Sequence, residues 1–187
     1  MVDEVNTQAL NKQQLEQMIE QTLRASSQQD EQPVDDDEGK KKYKEMRFAA
    51  MNLLARREYS RGELTDKLQR RFELPALAEL VLDQLIEDGL QSDQRFTESF
   101  VNSRVNRGHG LFRIRQELRQ KKLASHLLEE LLSELSIDWF AVAADCYQRK
   151  FGDSKIIDQK DYAKRARFMA YRGHNSGDIT ELLAAFR

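Results

Sequence analysis

Apolar residues along most of this chain recur at steps of three and four, the period of a helix with one buried face, and no stretch alternates as a half-buried strand would. Phe48, Met51, Leu54 and Ala55 predict a first helix over about 43–57. Ser60 followed by Glu63 reads as a capping box opening a second helix on Leu64 and Leu68, running to about residue 71. Pro75 suits the first turn of a third helix, where its missing N–H costs nothing, and Gly89 ends it. Ser92 or Asp93 opens the next, with Phe96, Phe100, Val101 and Val105 as its apolar face. Gly108 and Gly110 mark a turn into the helix within GHGLFRIRQELRQKKL (108–123). Ser125 caps a helix bearing Leu127, Leu128, Leu131, Leu132 and Leu135, and Asp138 caps one bearing Trp139, Val142 and Cys146. Two more are expected over about 158–172 and 176–186, separated by Gly173.

These nine segments repeat. Arg57, Tyr59, Leu64 and Leu68 match Arg107, His109, Ile114 and Leu118, and again Arg172, His174, Ile179 and Leu183. The offsets after each arginine are two, seven and eleven residues, and the later two copies share the tripeptide Arg-Gly-His. Leu77, Val81, Leu82 and Leu85 match Leu127, Leu131, Leu132 and Leu135 at the same offset that separates Arg57 from Arg107. Self-similarity at a fixed period is the mark of a repeat architecture. The expected fold is all-α: three tandem three-helix, helix-turn-helix-like repeats in an elongated, curved arrangement. Neighbouring triplets should share apolar surface, because one triplet buries little alone. The expected boundaries are 40–91, 92–137 and 138–187. In the third copy the Arg-Gly-His turn joins the last two helices, which leaves the Trp139 helix before them rather than after, and the register does not say whether that helix completes the unit.

Composition sharpens this picture. Eight Gly and two Pro among 187 residues, with 33% charged residues, favour helices over loops. The net charge of −2 averages two unlike parts: residues 1–39 hold ten acids and two bases, whereas the remainder holds 28 bases and 22 acids. The first 39 residues therefore read as an acidic, largely disordered extension, with room for a short helix over 10–23 before the solvated stretch SSQQDEQPVDDDEG. Its charge suggests that it folds back on the basic body and weakens non-specific binding. The opening MVDEVNTQ is neither basic nor apolar, and no apolar run reaches the length of a membrane helix. The single Cys146 lies in an apolar helix and reads as a buried thiol. A reducing, cytoplasmic setting is expected.

The chemistry that the sequence offers is cationic. Between Gln94 and Lys122 eight bases face two acids, so most of those charges are expected to lack a local partner. Arg115, Arg119 and Lys122 follow one another at helical steps beside the buried Ile114 and Leu118, forming a stripe that suits phosphate or an acidic protein groove. For any one arginine, solvation is the simpler explanation; for the ensemble it is not. Arg56, Arg57, Arg61, Lys67, Arg70 and Arg71 form a second set in the first repeat, and Arg107, Arg113 and Lys121 complete the set in the second. No catalytic grouping, metal site, cofactor motif or phosphate loop is legible: the histidines are scattered, two of them at equivalent turns.

MNLLARREYSRGELTDKL (51–68) and FVNSRVNRGHGLFRIRQELRQKKL (100–123) resemble the RecX family of bacterial recombination regulators, and RFMAYRGHNSGDITELL (167–183) resembles its closing motif. The likeness covers about 43–186. It implies three tandem three-helix units, no enzymatic activity, and binding along the groove of the RecA nucleoprotein filament; a monomer is expected. Its implied task is in DNA repair, homologous recombination and the SOS response: inhibiting the recombinase, ATPase and co-protease activities of RecA, by blocking filament extension or promoting disassembly. DNA, single- or double-stranded, is a second candidate partner. One departure is Lys122-Leu123, where many members close the helix with Gly. The residues alone equally allow a non-specific DNA-binding protein or a scaffold for another acidic protein.

Overall fold

The computed structural model describes residues 17–21, 36–123 and 125–187, and every element among them is helical. A helical segment at 17–21 (α1) precedes α2 (Asp36–Leu54), α3 (Arg61–Phe72) and α4 (Pro75–Glu87). There follow α5 (Asp93–Val105), α6 (Leu111–Arg119) and α7 (Ser125–Glu134), then α8 (Trp139–Phe151), α9 (Gln159–Arg172) and α10 (Ser176–Ala184). The chain divides into two compact units, residues 1–92 and 93–187.

In the first unit α2, α3 and α4 close on a core of Met46, Ala50, Leu64, Leu68, Leu77, Val81, Leu82 and Leu85. Ser60 caps α3 by accepting a hydrogen bond from the Glu63 N–H at 3.1 Å, as its spacing predicts. Pro75 opens α4, and Gly89 takes the left-handed φ of 67° just beyond it. Two expectations fail here. The buried face of α2 is Tyr43, Met46, Ala49 and Ala50, whereas Phe48 is 66% exposed and Met51 is also exposed. Phe48 and Met51 obey the helical period as well as Met46 and Ala49 do, so the spacing alone chose the wrong face. The helix also begins at Asp36, taking up the last four residues of the acidic stretch that reads as linker. Of the short helix expected over 10–23, residues 17–21 are helical and the rest lies outside the described residues. Ile19 is only 4% exposed and joins the core of this unit, so one apolar side chain of the extension docks on it.

The second unit holds two triplets. Phe96, Val101, Ile114, Leu118, Leu128 and Leu132 form one core, and Ala143, Cys146, Tyr147, Met169, Ile179, Leu182 and Leu183 the other. α8 serves both, since Trp139 packs against the first core and Ala143, Cys146 and Tyr147 belong to the second. The repeat register survives as burial: Leu64, Ile114 and Ile179 are buried, as are Leu68, Leu118 and Leu183. In the third triplet α8, which precedes the two helices joined by Arg-Gly-His, shares their core through Ala143, Cys146 and Tyr147 and so completes the unit. Asp138, Asp158 and Asn175 cap α8, α9 and α10 with side-chain oxygens.

One buried cation escaped the sequence reading. Arg165 is 4% exposed, donates to the Ser154 and Lys155 carbonyls at 2.7 and 3.1 Å and to the Tyr147 hydroxyl, and pairs with Asp161 at 2.8 Å. It pins the connection between α8 and α9 onto the third core, satisfying carbonyls that no helix serves. No described helix is long and apolar enough to cross a membrane.

Candidate polyanion-binding surface

The basic side chains that the sequence singles out lie on α3 and α6 and in the turns beside α2, α5 and α6, and several have acidic partners. In the first unit Arg57 stacks on the Tyr59 ring at 3.6 Å and reaches Glu63 at 3.2 Å. Arg61 is held by Glu79 and Asp83, each at 2.6 Å, from the facing α4. Lys67 Nζ lies 5.7 Å from the centroid of the same ring, so this aromatic carries two cations. Arg56, Arg70 and Arg71 are exposed; Arg71 lies 5.2 Å from the Phe72 ring.

In the second unit Glu117 gathers charge. Arg104 and Arg113 both bond its carboxylate, the latter at 3.0 Å, and His109 Nδ1 lies 3.8 Å away. Burial pushes the Glu117 pKa up, but the two arginine hydrogen bonds outweigh it and hold the carboxyl below its ordinary value. Arg115 and Arg119 share Glu129 of α7, at 3.0 and 3.8 Å. The expectation of a locally unpaired stripe is thus corrected: the partner is fourteen residues from Arg115 and ten from Arg119, on the next helix, where a count along one segment does not see it. α6 also ends at Arg119, so Lys122 is not on its face; it takes the left-handed φ of 59° in the turn that follows, the conformation that suits glycine. Lys121 is half-buried in the same turn. Arg107 is exposed and meets no carboxylate among the described residues.

The turn after Arg107 is where the second unit is tied together. The N–H of Gly110 donates to the Arg172 carbonyl at 2.9 Å, and the N–H of Phe112 to the Gly173 carbonyl at 3.1 Å. Arg172 Nη1 donates to the Arg107 carbonyl at 2.8 Å, and His174 Nε2 lies 3.2 Å from the Gly108 carbonyl. The two Arg-Gly-His copies therefore grip each other, so similarity in sequence becomes contact in space. Burial holds both turn histidines below the ordinary imidazole pKa; Arg113 adds to this at His109, while the Gly108 carbonyl opposes it at His174. With His174 neutral, the 3.2 Å contact requires its proton on Nε2.

The sequence reading missed Arg104, Arg149 and Arg172, all of which are anchored beside these turns. Arg149 donates to the Asn106 carbonyl at 2.9 Å and pairs with Asp145. Arg172 could have been found from the repeat, since it stands in register with Arg57 and Arg107. Arg149 stands at the end of a helix that carries no repeat signature.

The features together define a class: an all-helical protein of three consecutive three-helix domains, with arginine and lysine displayed at its turns and helix ends. Family models for the first, second and third three-helix domains of RecX match residues 47–85, 92–132 and 137–183. The chain is 43% identical over 139 residues to the Regulatory protein RecX of Pseudomonas savastanoi pv. phaseolicola, covering 74% of this chain and 90% of that protein. It is 41% identical over 140 residues to that of Halorhodospira halophila, covering 75% and 87%. The chain belongs to the RecX family.

Proposed function

We propose that this protein restrains RecA by binding along the groove of the RecA–DNA filament, occupying the co-protease surface and stopping filament growth or favouring disassembly. The match of three consecutive RecX domains in order carries the reading, and relatives named regulatory proteins, not enzymes, support it. The chemistry agrees: a binder with cations distributed over successive domains can touch repeating subunits, and each contact after the first is effectively intramolecular. Arginine forks held by carboxylates and carbonyls are positioned beforehand, so less side-chain freedom is lost on binding.

The test is the DNA-dependent ATPase of RecA titrated with this protein. Inhibition well below one molecule per RecA subunit is expected for capping; inhibition that appears only when the DNA is saturated would overturn it in favour of plain competition for DNA. Charge reversal of Arg115, Arg119 and Lys122 to Glu is expected to weaken inhibition at unchanged helicity. A second reading, a DNA-binding protein indifferent to RecA, is favoured by the unpaired Arg107. It predicts tight binding to naked duplex with log affinity falling against log salt by about 0.9 per phosphate.

A further inference from the structure

A small cleft of about 150 Å³ opens beside the interlocked turns, within the second unit. Arg107, Arg149, Lys150 and Arg172 line it together with Cys146 and Phe168, so four cations and no carboxylate face it. The cations come from three places: the turn after α5, the last turn of α8, and the end of α9. Like charges brought this close repel, and two of the three guanidinium groups are held in place by fixed partners. Arg149 is held by Asp145 and the Asn106 carbonyl, and Arg172 by the Arg107 carbonyl and the Phe168 ring at 5.2 Å. Arg107 and Lys150 are exposed and have no ionic partner among the described residues. The turn packs closely on two of the lining side chains: a Cβ on Gly108, whose φ is 73°, would lie 3.0 Å from Cys146 Sγ and 3.4 Å from Arg149 Nη2.

A second cleft, of about 420 Å³, borders the same pair of turns and has different chemistry. Its walls include Phe112, Arg113, Gln116, Gln120 and Tyr171, and one carboxylate, Glu117, which Arg104 and Arg113 already neutralise. Phe112 is 56% exposed and Tyr171 77% exposed, with the Arg113 guanidinium 5.4 Å from the Tyr171 ring. Large exposed aromatics backed by arginine and amide side chains offer faces on which bases stack and groups that meet base edges. A free phosphate would use only the first cleft, and a duplex keeps its bases stacked on one another.

We propose that the joined Arg-Gly-His turns of the second unit form a binding site for single-stranded nucleic acid, with a backbone phosphate held by Arg107, Arg149, Lys150 and Arg172 and a neighbouring base stacked on Phe112 or Tyr171. The site rests in part on the reading of a protein that works beside DNA, and deepens it by naming where a strand is touched. It is tested without RecA, so that failure of one does not entail failure of the other.

The experiment is fluorescence anisotropy of labelled oligo-dT with the full chain, over a series of salt concentrations. The double variant Arg107→Glu/Lys150→Glu is compared with Lys160→Glu/Lys164→Glu, which makes the same change in net charge on exposed positions of α9. The first is expected to lose affinity at least tenfold more than the second and to flatten the salt slope by about 0.7 per lost phosphate contact. Tyr171→Ala is expected to weaken binding several-fold without altering that slope. Equal losses in the two charge variants would reduce the effect to net charge and overturn the site. So would inorganic phosphate that binds the cleft, followed by NMR, while oligo-dT does not. Should Arg107→Glu/Lys150→Glu unfold by circular dichroism, Arg107→Gln/Lys150→Gln serves in the same comparison, with the same outcomes deciding.

Discussion

Gly110 and Gly173 meet backbone to backbone: a Cβ on Gly110 would lie 2.4 Å from the Gly173 carbonyl oxygen. Neither chain can withdraw, because the Gly110 and Phe112 N–H groups bond the Arg172 and Gly173 carbonyls at that point. Gly110→Ala is therefore expected to destabilise the second unit by about 2 kcal/mol or more, through overpacking and the lost hydrogen bonds. Gly89→Ala, at a φ of 67° with no atom within 4 Å of the added Cβ, should cost about 1 kcal/mol from strain alone. Urea denaturation of both variants checks the order.

Glu129 neutralises Arg115 and Arg119 together. Half-exposed pairs of this kind contribute about 1 kcal/mol at most. Glu129→Gln is accordingly expected to leave the melting temperature almost unchanged while raising affinity for an anionic track a few-fold. Filament binding measured by light scattering or anisotropy would show it, and an unchanged affinity would count against Arg115 and Arg119 as contact residues.

The turn histidines give stability a pH dependence with a definite sign. Burial lowers the folded pKa of His109 and His174 below 6.5, so between those values the unfolded chain holds more protons than the folded one. Stability is then fully present above about pH 6.5 and falls as pH drops through the folded values. Glu117 and Asp161, also held below their ordinary values, add losses only at lower pH, beneath about 4.5 and 3.8. Chemical denaturation at pH 7.5 and 5.5 is expected to show a deficit at the lower pH, and the His109→Gln/His174→Gln variant should show a smaller one.

Lys122 occupies a left-handed turn position without being glycine. Lys122→Gly should raise the stability of the second unit by roughly 0.5–1 kcal/mol, after the greater freedom of glycine in the unfolded chain is subtracted. Thermal denaturation would register this as a rise of a few degrees.

Ile19 ties the acidic extension to the first unit by an apolar contact. Ile19→Ala is expected to cost about 2 kcal/mol, near the low end for a buried large-to-small change because a short segment can let go rather than leave a cavity. If the contact were one of charge, high salt would mimic the substitution; the expectation is that denaturation midpoints in 50 mM and about 0.5 M salt differ little.

The helices, their caps and the threefold register were legible in the chain because each depends on residues within a few positions of one another. Ser60 with Glu63, Asp138, and the buried series Leu64, Ile114 and Ile179 need only local geometry and a 3.6-residue period. Family membership was legible too, since long motifs preserve their order and spacing. Partners were not. Whether α2 buries Met46 or Phe48 depends on what α3 and α4 bring against it, and both fit the same period. The pairing of Arg115 and Arg119 with Glu129, the convergence of Arg107, Arg149, Lys150 and Arg172, and the lock between Gly110 and Gly173 all join separate elements. Electrostatic and steric contacts act across space at a few ångströms, irrespective of separation along the chain, so only the tertiary structure could decide which cations are neutralised and which stand ready for a ligand.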